Sequence, residues 1–283
     1  MSRARLRFAA AAALAAALAG AGCAAPGPES QVTRGAPITT TPPDPAVVDL
    51  MEATGMTPEA RRMFLTARPS LEDKATITES CAGLDAAGIG TTHTYGCVVQ
   101  GKIHIRVFGA TELADMRYVV AAHELLHVVY ANLRTAERVR LDAELERARA
   151  GDAVLEERLE VYAASAGDTP NEVHAVLGTE FAGLSPELEA HYARFFDRSL
   201  VLSAFQRTLG DREAAIRALE AKVDELKGRL DAMSAEMDAL RADGDLRTFN
   251  ARVPTYNALV RQINAAIADL RKLVDAHKAL VSS

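Results

Sequence analysis

The chain has 283 residues, of which 49% are hydrophobic and 25% are charged. This composition is ordinary for a soluble protein of one or two domains with appended segments. The formal net charge is −6, and the sequence contains no basic stripe, so we exclude nucleic acid as an expected partner.

Residues 1–22 have the composition of an export signal. Three arginines stand at the start, and an Ala- and Leu-rich run over 8–19 follows that is too short to span a bilayer. We therefore exclude residues 1–22 from the fold and expect the protein to leave the cytosol.

Cys23 follows three small residues, Gly-Ala-Gly. This arrangement resembles the lipobox of bacterial lipoproteins, with Gly20 where a Leu is usual. The resemblance implies a lipid on Cys23, a membrane anchor and a location in the bacterial cell envelope, on its periplasmic or extracellular face. The alternative is signal cleavage near Ala21 or Ala25 without lipid.

Residues 23–46 contain six prolines among Gly, Ser and Thr. Such a segment cannot bury a core, so we predict a disordered tether. The folded part should begin near Val47, with a domain over 47–198. Thr57 and Pro58, a capping residue and a proline at the first helical position, predict the start of a short helix.

Cys81 and Cys97 are the cysteines that remain once Cys23 is assigned to the lipid. Because an exported chain meets an oxidising environment, we predict that these two residues form a disulfide. Two buried free thiols are the alternative.

A β-hairpin is predicted from two apolar runs, 94–99 and 102–108, that meet at Gln100 and Gly101. The second run alternates apolar and polar residues, as a half-buried strand does. This hairpin leads directly into a long apolar helix predicted over 112–132.

That helix carries the sequence His-Glu-Leu-Leu-His over residues 123–127. His123 and His127 are one helical turn apart on the same face, so both imidazoles can reach one metal ion. Glu124 flanks the face closely enough to act as a general base on a water at the metal. The alternative is a core helix with two hydrogen-bonded histidines.

The HExxH spacing after a small sheet resembles the zincin fold of zinc metallopeptidases. The resemblance implies one zinc ion with His123 and His127 as ligands and Glu124 as the catalytic base. It also implies that an edge strand, here 103–107, pairs with an extended peptide substrate. The block from the hairpin to residue 198 also resembles a group of bacterial envelope proteins that carry HExxH.

A third zinc ligand has to come from elsewhere in the chain. Asn171-Glu172 resembles the Asn-Glu pair of the glutamate helix in thermolysin-type gluzincins, with Val176 where an Asp is usual. That resemblance implies Glu172 as the ligand. Glu180 is the alternate, although Gly178 is expected to end the helix before it.

Transition-state stabilisation needs a further polar group. His174, His191 and Tyr192 are the candidates in this part of the sequence, and His174 is also a less favoured third ligand.

Residues 199–283 are rich in Ala, Leu, Glu and Arg. Apolar residues recur there at spacings of three and four in two long stretches, with a break at 242–245, which predicts an antiparallel coiled-coil helical hairpin. The alternative is an intermolecular coiled coil that gives a homodimer or binds a partner protein.

The sequence therefore predicts an α+β protein, mostly α, with a zincin-like domain followed by a helical hairpin. The expected function is an exported, membrane-tethered zinc metallopeptidase that acts on peptides or proteins of the envelope. Two alternatives remain open: a catalytically silent scaffold that acts through its coiled coil, and a zinc hydrolase of a non-protein envelope bond.

Overall fold

A computed structural model of the chain describes residues 42–82, 95–163 and 170–282. The predicted export signal, Cys23 and most of the Pro-rich segment lie outside the described residues. The described part is mostly helical with a small three-stranded sheet, as the sequence predicts. It divides into two compact units, one that extends to Leu209 and one formed by residues 210–280.

The first unit contains the sheet and a series of short helices. Its strands are β1 (Ser70–Glu72), β2 (Gly96–Val99) and β3 (Lys102–Arg106). Its helices are α1 (Pro45–Ala53), α2 (Pro58–Thr66), α3 (Lys74–Cys81), α4 (Met116–Ala131), α5 (Thr135–Arg149), α6 (Ala153–Ala163), α7 (Pro170–Glu180), α8 (Pro186–Tyr192) and α9 (Arg198–Phe205). A 3₁₀ turn (Thr111–Leu113) precedes α4, and a π-helical turn (Gln206–Gly210) follows α9.

Capping side chains fix the first helix starts. Thr57 accepts a hydrogen bond from the backbone N–H of Ala60 and precedes Pro58, so the predicted start of α2 is confirmed. Asp44 caps α1 in the same way, and the helix begins at Pro45, two residues before the predicted position.

The sheet has the order β1-β3-β2. β2 and β3 are antiparallel and joined by Gln100 and Gly101, whose positive φ angles of 51° and 74° are those of a tight hairpin turn, so the predicted hairpin is confirmed. β1 pairs with β3 in parallel and was not predicted. Because β3 is paired on both sides, the prediction that residues 103–107 form a free edge is wrong.

Helices cover both faces of the sheet. α4 packs on one face, where Gly96 of β2 approaches Val120. α3 packs on the other face, where Ile77, Cys81 and Cys97 form a small buried core. α4 also contacts α7 and α9, so it is the central helix of the unit.

Two predicted helix boundaries are wrong. α4 begins at Met116 and not at 112, because the chain first makes the 3₁₀ turn. α7 does not end at Gly178 but continues to Glu180. A Cβ atom at position 178 would lie 2.4 Å from Cδ1 of Leu126 and 2.7 Å from Cε1 of Tyr192, so this glycine permits close helix packing and is not a cap.

The second unit is a pair of long helices, α10 (Asp211–Ala242) and α11 (Leu246–Ser282). They run antiparallel, and Glu236 pairs with Arg252 at 2.7 Å. Their shared core is formed by Val223, Leu226, Leu259, Ile263 and Ala266. The hairpin begins later than the predicted residue 199, because α9 packs against α4 and α7.

Among the described residues no helix has both the length and the apolar character needed to cross a membrane.

Candidate metal centre

Two helices bring three candidate ligand side chains together. His123 and His127 project from the middle of α4, and Glu172 is the third residue of α7, which packs along α4. Nε2 of His123 is 3.4 Å from Oε1 of Glu172, and Nε2 of His127 is 3.7 Å from Oε2. All three residues are buried, and together they form a group that could hold a metal ion.

The spacing of the ligand atoms fits a tetrahedral metal. Two ligands at 2.0–2.1 Å from a tetrahedral zinc lie about 3.3 Å from each other. The distances of 3.4 and 3.7 Å from the two histidine nitrogens to the two carboxylate oxygens of Glu172 are close to that value. Two imidazoles and one carboxylate are also a donor set that zinc accepts.

Asn171 orients one of the histidines. Its Oδ1 is 3.2 Å from Nδ1 of His127. Because an amide oxygen can only accept, His127 carries its hydrogen on Nδ1 and has its lone pair on Nε2, the atom that faces Glu172. This is the tautomer that a metal ligand requires.

Burial also keeps His123 in the form that binds metals. Desolvation lowers the pKa of His123 below its usual range, and the neighbouring Glu172 carboxylate opposes this shift. Neutral imidazole has the free lone pair that a metal needs. The site therefore favours metal binding without a competing proton on His123.

Glu124 lies beside the ligands in an apolar environment. It is 1% exposed, and its Oε2 atom has no hydrogen-bond partner among the residues that the structure describes. Desolvation raises its pKa to about 8 in the absence of a metal. A buried carboxyl group of this kind is available for proton transfer.

Gly96 makes the close approach of the sheet to Glu124 possible. An ideal Cβ at position 96 would lie 2.6 Å from Oε1 of Glu124 and 2.5 Å from Cγ1 of Val120. Sequence reasoning missed this residue. A glycine at the start of a predicted strand is the signal that could have indicated it, because such a residue often marks a close backbone approach.

The structure brings Glu172, and not Glu180, to the histidines. Glu180 forms an ion pair with Arg158, with 2.7 Å between Oε2 and Nε, and both side chains are buried. Arg158 also stacks over the ring of Phe205. No sequence signal pointed to Arg158, since an isolated arginine in an amphipathic helix has no distinctive pattern.

His174, His191 and Tyr192 form a cluster of their own. The Nε2 atoms of His174 and His191 are 2.9 Å apart, and Tyr192 stacks on His174. Burial lowers the pKa of His174 well below its usual range and that of His191 to about 4. The Tyr192 hydroxyl donates to the carbonyl oxygen of His174, so the hydrogen that transition-state stabilisation would need is already used.

A disulfide lies next to the strand that faces Glu124. The Sγ atoms of Cys81 and Cys97 are 1.99 Å apart, which links α3 to β2 one residue after Gly96. This covalent link holds the end of β2 in place against the core.

β2 has an unpaired side among the described residues. The backbone N–H of Arg106 donates to the carbonyl of Tyr95 at 2.8 Å, and Cys97 faces β3 in the same way. The intervening Gly96 and the following Val98 therefore direct their backbone N–H and C=O groups away from β3. In the described ranges no strand occupies that side.

Comparison with known proteins gave no match, either to a protein-family model, to a curated protein or to a solved structure.

Proposed function

We propose that this protein is a zinc metallopeptidase. The observation that carries the proposal is the convergence of His123, His127 and Glu172 in a buried group, with the carboxyl group of Glu124 beside it. Three protein ligands leave one coordination position open, which is the arrangement of catalytic rather than structural zinc sites.

Bound zinc supplies Lewis-acid activation of a water molecule and of the substrate carbonyl. Glu124 accepts the proton of the water and passes it to the leaving amine. Burial raises the pKa of Glu124 to about 8, and a cation bound nearby lowers this pKa again. A general base is most effective when its pKa lies near the working pH, so this environment suits the role.

The substrate is an extended peptide that pairs with β2. Val98 is partly exposed and offers a backbone donor and acceptor on the side of β2 that no described strand occupies, and Gly96, two residues earlier, adjoins Glu124. A peptide held there by main-chain hydrogen bonds has its scissile bond near the base. Peptides in which one main-chain amide is replaced by an ester test this arrangement, because each lost hydrogen bond should raise KM with little change in kcat.

The enzyme is exported and held at the bacterial envelope by a lipid on Cys23. The support is the sequence of residues 1–23, which resembles a lipoprotein signal. Cys23→Ser should move the protein from the membrane fraction to the soluble fraction or block its processing.

α10 and α11 are proposed to form an antiparallel coiled coil. The support is the recurrence of apolar residues at spacings of three and four along both helices.

The test of the proposed activity uses full-length protein and a diverse mixture of unstructured peptides. Wild-type protein with one zinc per chain should cleave them, a chelator should stop cleavage, and added zinc should restore it. His123→Ala and His127→Ala should bind no zinc. Cleavage of envelope material without cleavage of peptides would assign the zinc site to a non-protein bond. Undiminished zinc in both histidine variants would contradict the proposal altogether.

A further inference from the structure

Arg198, the first residue of α9, makes five hydrogen bonds around the end of α7. Nη1 donates to the carbonyl oxygens of Leu177 at 2.7 Å and Gly178 at 3.2 Å, and Nη2 donates to that of Phe181 at 2.8 Å. Nε and Nη2 also donate to the carboxylate of Glu189, at 2.8 and 2.9 Å. Every N–H of the guanidinium group has an acceptor.

These bonds satisfy helix carbonyls that have no partner within α7. The last four carbonyl groups of a helix lack intrahelical donors and carry partial negative charge, so a buried cation stabilises them. Arg198 is 7% exposed and supplies the donors for Leu177 and Gly178. The guanidinium group therefore binds the C-terminal end of α7 directly.

A second contact holds α7 one turn earlier. The hydroxyl of Tyr192 donates to the carbonyl of His174 at 2.9 Å, and the guanidinium carbon of Arg198 lies 5.3 Å from the centre of the Tyr192 ring. Gly178 lets this ring and Leu126 approach the helix backbone. α7 is thus held by Arg198 at its C-terminal end and by Tyr192 along one side.

We propose that Arg198 is a positioning residue for the metal ligand Glu172. This inference rests on the proposed metal site. α7 has only 11 residues and carries Asn171 and Glu172 in its first turn, so a displacement of its C-terminal end moves the ligand as well. A slip of one residue along the axis shifts a side chain by about 1.5 Å, whereas metal–ligand distances are kept within about 0.2 Å.

Lysine cannot replace this arginine. An ammonium group has three donors around a single nitrogen and cannot span three carbonyls and a carboxylate at once. Arg198→Lys therefore keeps the charge and most of the side-chain volume but loses the geometry that fixes α7. Arg207→Lys is the matched control, because Arg207 forms an exposed ion pair with Asp115.

Cobalt(II) titration of metal-free, full-length protein tests the inference, because the visible absorption of Co²⁺ reports the number and geometry of its ligands. We expect Arg198→Lys to bind Co²⁺ about tenfold more weakly and with an altered spectrum, the lower end of the loss that follows when a ligand loses its own hydrogen-bond partner. Glu189→Gln, which removes the charge that holds the guanidinium, should weaken binding less. Arg207→Lys should match the wild type.

Each outcome decides a separate point. If folded Arg198→Lys binds Co²⁺ with wild-type affinity and spectrum, Arg198 does not position Glu172. If Arg198→Lys does not fold, Glu189→Gln serves as the test instead. Wild-type Co²⁺ affinity and spectrum in Glu189→Gln would then overturn the inference. If Glu172→Ala binds Co²⁺ as the wild type does, the proposed metal site itself is wrong.

Discussion

The Nδ1 atom of His127 lies 3.2 Å from the Oδ1 atom of Asn171, the residue that immediately precedes Glu172. One turn of α7 therefore supplies both the carboxylate of the proposed metal site and the acceptor that orients His127 of α4. Two successive side chains can do this because α7 packs along α4, so its first turn faces the histidines.

Asn171→Ala should weaken zinc binding about tenfold, because His127 loses the acceptor that fixes its tautomer and ring orientation. Competition with a chromophoric chelator measures the affinity. Asn171→Asp keeps an acceptor at the same place and is the matched control. Equal zinc affinity in wild type and Asn171→Ala would show that the hydrogen bond does not orient the ligand.

Glu172→Ala and Glu180→Ala should have opposite effects on metal content and stability. Loss of Glu172 should abolish tight zinc binding, because only two protein ligands remain. Loss of Glu180 should leave zinc in place but destabilise the fold by about 3 kcal/mol, because the buried charge of Arg158 loses this ion pair. Metal analysis and urea unfolding of both variants check this, and zinc loss only in Glu180→Ala would reverse the ligand assignment.

Gly96→Ala should cost about 1–3 kcal/mol of folding free energy and reduce turnover strongly. The added methyl group overlaps Val120 and the carboxylate of Glu124, so either the strand or the base has to move. Gly109→Ala is the matched control, since nothing lies within 4 Å of a Cβ at that position. Similar unfolding curves and similar kcat for the two variants would rule out the steric explanation.

The titration of Glu124 should by itself make metal-free protein less stable as the pH rises from about 5 to 8. The pKa of Glu124 is about 8 in the folded state and near 4.5 when unperturbed, so in this range the folded state holds a proton that the unfolded state has released. The contribution of Glu124 to stability then falls by up to about 1.4 kcal/mol per pH unit. Glu124→Gln cannot titrate and should lack this contribution.

Urea unfolding in the presence of a chelator, at pH 5 and at pH 8, gives the comparison. The variant should gain stability relative to the wild type as the pH rises. His123, His174 and His191 have lowered pKa values and act in the opposite direction below pH 6.5, but they are present in both proteins and their effect cancels to first order. If the free energy of unfolding changes with pH in the same way in both proteins, this prediction is wrong.

The parts of the fold that local sequence determines were predictable. His123 and His127 are separated by one helical turn whatever surrounds them, and Gln100-Gly101 between two apolar runs specifies a hairpin through turn chemistry. The start of α2 followed from Thr57 and Pro58 for the same reason.

The parts that depend on distant contacts were not predictable. β1 has only three residues, too few for an alternating pattern, and it exists because it pairs with β3. Gly178 suggested a helix end by its residue type, but its role is set by Leu126 and Tyr192 in other helices. Arg198 carries no local signal, since its five acceptors come together only in the folded chain.

The choice between Glu172 and Glu180 also depends on distant contacts. Both are glutamates in one helix, and the sequence alone favoured one by resemblance only. The packing of α7 decides which of them faces the histidines, and Arg158, from a different helix, pairs with the other.

The most direct test of the proposed activity is the rate of peptide hydrolysis by Glu124→Gln that retains one zinc per chain. Removal of the carboxylate leaves His123, His127 and Glu172 unchanged but takes away the proton acceptor. We expect wild-type zinc content and thermal stability no lower than that of the wild type, with kcat reduced at least about a hundredfold. Zinc-loaded Glu124→Gln that cleaves peptides at the wild-type rate would contradict the role of Glu124 as the base.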